Sequence, residues 1–143
     1  MSERTVTSRT SLDTSATGRA MHIGQVAART ELSLRSLRHW DEVGLVRPSG
    51  RSDGGFRLYT EHDVQRILLV RRMKPLGFTL EQMSDVLADI ETLRDADARS
   101  DQVEEARNRL TATESEAQER REKLVRQLAM ADEFLGLLDR YIR

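Results

Sequence analysis

Arg35, Ser36, Arg38 and His39 crowd into one short stretch, and Arg51, Arg57 and Tyr59 follow around the glycine pair Gly54-Gly55. A guanidinium presents parallel donors that match the acceptors of guanine, and a hydroxyl can bond a base or a phosphate. Arginines on a neighbouring loop can grip phosphate without reading sequence. The chemistry on offer is therefore recognition of duplex DNA. No Ser-His-Asp order, phosphate-cradling loop or carboxylate pair stands out, so no catalytic residue is assigned and the chain reads as a non-enzyme. His22, His39 and His62 lack paired ligand spacing, and there is no cysteine, so neither a metal nor a cofactor is assigned.

Arginine on an exposed helix is common, and its neighbours make the case here. Ile23, Val26, Ala27 and Thr30 form one stripe on a helical period. Thr30-Glu31-Leu32 is a turn, and Ser33 is a good N-cap for a second helix running to about Val43. Gly44 then suits the left-handed position that ends a helix. Arg35, Ser36, Arg38 and His39 fall away from the Leu34/Leu37 side of that second helix. Leu45-Val46 is expected to start a short strand, and Phe56–Tyr59 alternates as its return. The result is a two-stranded wing bearing Arg47, Arg51 and Arg57. Further on, Thr60 with Asp63 and Thr79 with Gln82 carry the spacing of capping boxes, and Pro75-Leu76-Gly77 separates the two helices that they open.

The run from Ile23 to Met83 resembles the N-terminal domain of the MerR family of bacterial transcription regulators. The resemblance is carried by IGQVA, SLRSLR, DEVGLVRP, GGFRLY and LGFTLEQM, in that order. Glu31 stands where the family often has glycine, and His39-Trp40 replaces a common Tyr-Tyr pair. The resemblance implies a mainly α fold: a winged helix-turn-helix head followed by a long dimerisation helix in an antiparallel coiled coil. It also implies a homodimer on a pseudo-palindromic promoter operator. The DNA between half-sites would be distorted so that RNA polymerase can use the promoter. Arg35, Ser36, Arg38 and His39 are the candidates on the recognition helix, with Arg51, Arg57 and Tyr59 on the wing.

Charge is divided to match. Residues 19–80 hold 11 Lys/Arg against 6 Asp/Glu, and residues 81–143 hold 10 against 16. A basic head on an acidic body suits a polyanion at one end only. Residues 1–20 are rich in Ser and Thr and are expected to be a disordered tail. Residues 21–92 are read as the DNA-binding domain and 93–143 as the dimerisation helix. No stretch has the apolar core of a signal peptide or the length of a membrane span, so a cytoplasmic protein without membrane contact is expected.

Val103, Leu110, Ala117, Leu124, Ala131 and Leu138 recur every seventh residue, the mark of a coiled-coil seam. The companion row of Arg107, Glu114 and Arg121 gives way to Leu128, Leu135 and Ile142. A hairpin broken near Thr111–Thr113 is the local alternative, though no glycine or proline marks a break there. Cysteine-based metal or redox sensing, which the resemblance would suggest, is closed to this sequence. A short member without a C-terminal ligand domain is expected. An unidentified small-molecule effector would have to sit near Phe78, Met83, Met130 or Phe134. The competing reading is a coiled-coil interaction adaptor with a vestigial basic head.

Overall fold

Local capping chemistry sets most of the helix boundaries in the computed structural model, which describes residues 19–143. The expected tail falls largely on residues 1–18, outside the described residues. Strand β1 (Met21–His22) leads into α1 (Ile23–Thr30). The Gln25 side chain accepts from the His22 N–H at 2.9 Å, which satisfies one donor at the helix start. Helix α2 (Leu34–Glu42) opens as its sequence requires: Ser33 Oγ accepts from the Ser36 N–H at 3.0 Å. Between them Glu31 takes the left-handed conformation at φ 58°.

Leu45 and Val46 do not begin a strand. Their N–H groups both donate to the Trp40 carbonyl, at 2.8 and 3.3 Å, and close the end of α2 past Gly44. Both side chains are buried. The wing strand lies further on, as β2 (Gly50–Arg51), paired antiparallel with β3 (Arg57–Tyr59). Strand β1 adds to the other side of β3, giving the order β1-β3-β2. Helix α3 (Glu61–Met73) follows. Val26, Leu37, Trp40, Tyr59, Val64, Ile67 and Val70 make the core of this first unit, which ends at Met73.

The second unit begins with a 3-10 turn (Lys74–Leu76) and continues through α4 (Leu80–Arg94) to α5 (Ser100–Ile142). Thr79 Oγ1 accepts from the Gln82 N–H, and the Gln82 side chain accepts from the Thr79 N–H, so the capping box forms in full. The division between the two compact units falls after Met73. Met83 and Leu87 are buried on α4, which packs on α5 within the second unit.

Candidate nucleic-acid interface and pairing helix

Helix α2 turns Leu37, Trp40 and Asp41 inward and leaves Arg35, Arg38, His39 and Glu42 exposed. Those four occupy positions i, i+3, i+4 and i+7, so they share one face. Three of them can donate hydrogen bonds to a duplex. Ser36, expected beside them, is half-buried, and its hydroxyl lies 3.1 Å from Ser33 Oγ. It belongs to the cap.

Arg51 and Arg57 face each other directly across the wing. Arg51 Nη2 donates to Asp41 Oδ2 at 3.0 Å, and Arg57 Nε donates to the same oxygen at 2.7 Å. Asp41 thus ties both wing arginines to α2. Burial would raise its pKa, but the bonds from Arg57 and then Arg51 outweigh that and hold the carboxyl below its usual value. Sequence reasoning missed Asp41. The signal was available, because Asp41 is one turn beyond Leu37 and in phase with the core, where a carboxylate needs a cationic partner.

Tyr59 requires a correction. It was expected to face phosphate from the wing, yet its side chain is wholly buried, with Met21 as its strand neighbour. On a three-residue strand beside a helical core, its side points inward. Burial, then the Asp41 charge, raises the pKa of its hydroxyl. Phe56, by contrast, stands 68% exposed at the wing tip.

Two further contacts hold the helix pair in place. Asp63 Oδ2 accepts from the Thr60 N–H at 3.0 Å and from the Ser49 N–H at 2.9 Å, joining the start of α3 to the start of the wing. Arg71 Nη1 donates to the Thr30 carbonyl at 2.6 Å, where α1 ends and leaves an acceptor open. On the surface Arg29 and Glu61 form a bidentate pair. The bond from Arg29, supported by Gln65, lowers the Glu61 pKa to about 2.

The long helix changes in exposure along its length. Val103, Leu110 and Ala117 are half-buried, and Ala106 fully so. This half of the helix packs on α4 of the same chain. The companion row there is Ala106, Thr113 and Arg120, one residue before the row read from the sequence. From Arg121 onward every residue is exposed. Leu124, Leu128, Leu135, Leu138 and Ile142 are among the large apolar side chains left in the open, with Ala131 between them.

The grooves beside α4 and α5 are small and shallow. One of about 210 Å³ is lined by Phe78, Gln82, Asp85, Asp89, Arg109 and Glu116. Phe78 and Met83 are buried, while Met130 and Phe134 stand exposed farther along α5. Among the described residues no group of three or more His, Asp or Glu is placed to hold a metal ion, and no helix is long and apolar enough to cross a membrane.

Residues 21–90 match the profile of the MerR HTH family regulatory proteins. An HTH-type transcriptional regulator of Pseudomonas aeruginosa is 36% identical over 67 residues, covering 47% of this chain and 51% of its own. The regulator CueR of Vibrio cholerae is 39% identical over 67 residues, covering 47% and 48%. The chain spans about half the length of these curated relatives. Among solved structures, a MerR family regulator from Bacillus thuringiensis superposes with a TM-score of 0.63 at 17% identity, covering 82% of this chain and 97% of that one. HiNmlR, a MerR family regulator lacking the sensor domain and bound to promoter DNA, gives 0.62 at 21% identity, covering 82% and 88%. Both likenesses are to the fold.

Proposed function

The chain belongs to the MerR family of helix-turn-helix regulators through residues 21–90, and from that premise we propose that it is a homodimeric transcription regulator that binds a pseudo-palindromic operator. Each α2 lies in a major groove, where Arg35, Arg38 and His39 meet base edges or nearby phosphates. Each wing holds flanking phosphate through Arg51 and Arg57. The observation that carries this reading is the exposed basic face of α2, together with a wing whose two arginines are bonded to that same helix. The fold neighbour HiNmlR, which is bound to promoter DNA, supports it.

The pairing surface is the exposed apolar row of Leu124, Leu128, Ala131, Leu135 and Leu138. A lone helix gains little stability in water unless its apolar face is covered. A second copy of α5, running antiparallel, offers the matching surface. Two heads held at a fixed spacing then grip half-sites separated by whole helical turns. The DNA between them is distorted, which brings the promoter elements into register for RNA polymerase. Bending of that kind costs on the order of 1–6 kcal/mol, and paired-head contacts must offset it.

Footprinting the purified protein on DNA upstream of its own gene, across a salt series, tests the proposal. A protected pseudo-palindrome with enhanced cleavage at its centre is the expected result. Weak binding without sequence preference that vanishes with salt would overturn it and favour the adaptor reading.

A further inference from the structure

We infer that Asp41 is a positioning residue for DNA binding: its carboxylate holds the two wing arginines side by side so that both meet the phosphate backbone. The inference rests on the DNA-binding reading above. Residues directly opposite on paired strands project from the same face, and like charges there repel. Arg51 and Arg57 are such a pair. Left alone, two guanidiniums in that register would splay apart. Asp41 Oδ2 accepts from both and offsets the repulsion.

The bonding leaves the arginines usable. Each guanidinium has five N–H donors, and the Asp41 bonds take one from each. The Arg51 side chain remains 48% exposed while that of Asp41 is 9% exposed. The cluster keeps a net positive charge, with the anion on the inside and the cations outward. A merely structural ion pair at this site could be replaced by apolar packing at little cost. Two arginines fixed before docking also lose less side-chain freedom when DNA arrives. A carboxylate beside a phosphate-binding surface is otherwise unfavourable, so its presence requires such a benefit.

The test compares wild type with Asp41→Asn on the duplex protected in the footprint, measuring affinity against salt concentration. Each phosphate contact contributes roughly −0.9 to the logarithmic salt slope. Asp41→Asn is expected to weaken binding and make the slope shallower by up to about 1.8 per head, the share of two arginines. In an Arg51→Ala/Arg57→Ala background, adding Asp41→Asn should change the slope no further. Melting followed by circular dichroism checks that each variant is folded. If Asp41→Asn does not fold, Asp41→Glu keeps the charge but moves it by one methylene, and an intermediate slope is expected.

An unchanged slope in the folded variants overturns the inference. Tighter binding with a steeper slope also overturns it, because Asp41 would then be masking the arginines. A further fall in slope in the double-alanine background overturns it as well, since Asp41 would act without the wing. Failure of the DNA-binding reading looks different, because the wild-type protein itself would then protect no duplex.

Discussion

Asp63 is where the fold of the head can be tested most sharply. Its side chain is almost wholly buried, and one oxygen accepts two backbone N–H groups, those of Thr60 and Ser49. Asp63→Ala removes both bonds. The first is the reciprocal half of the cap of α3, and losing a cap costs about 1 kcal/mol. The second is a bond to a charged acceptor in a part-buried loop, worth roughly 1.5–3 kcal/mol. Together the expected loss is about 2.5–4 kcal/mol. Asp63→Asn can still place one oxygen at the same point, so it should lose only about half of that, because charge-assisted bonds are roughly twice as strong as neutral ones. Trp40 is the only tryptophan, and it is buried in the same unit, so its fluorescence follows this unit without interference from the long helix. Urea unfolding read at Trp40 should rank wild type above Asp63→Asn and Asp63→Ala last. An alanine variant within about 0.5 kcal/mol of wild type at unchanged m would refute the account.

Glu31→Gly should be more stable than Glu31→Ala by roughly 0.5–1 kcal/mol, since glycine relieves the left-handed backbone at φ 58° while alanine does not; equal midpoints in urea would remove the strain argument. Acid should weaken the first unit: the depressed Glu61 pKa contributes stability that is present above about 4.5 and lost as pH falls towards about 2, and Asp41 acts with the same sign. Glu61→Gln should flatten that part of the urea-midpoint profile, and an identical profile would count against the Arg29 pair as its source. Leu128→Asp should shift sedimentation from dimer to monomer while Trp40 unfolding stays near wild type; a variant that remains dimeric places the pairing surface elsewhere. Arg35→Ala should cost roughly 1–3 kcal/mol on the protected duplex and relax base choice at one position per half-site, whereas an even loss across sequences would reassign it to phosphate.

The caps and turns of this protein were legible in the sequence because they are local. Ser33, Thr60 and Thr79 each bond within three residues, so spacing alone announces them. Gly44 ending α2 is of the same kind, as is the exposed stripe of Arg35, Arg38 and His39. The seven-residue row along α5 was visible too, but not what it faces. Its companion lies three residues after each row member up to Arg120, and four residues after from Leu124 onward. That switch moves the companion row to the other flank of the helix. It is what a helix packed on α4 in its first half and open in its second should show.

Other features came only with the tertiary structure. The two-residue strand β1 is too short to have a period, and it exists because β3 offers it an edge. Tyr59 read as a wing residue until the core closed over it. Asp63 advertised its bond to Thr60 and gave no hint of Ser49, fourteen residues away. Asp41 and the wing arginines are ordinary charges along the chain, and only folding brings one carboxylate oxygen within reach of both guanidiniums. The physical division is one of range. Backbone capping and helical periodicity act over a few residues and are written in spacing, whereas buried ion pairs and the choice of inner face depend on which distant segments are brought together.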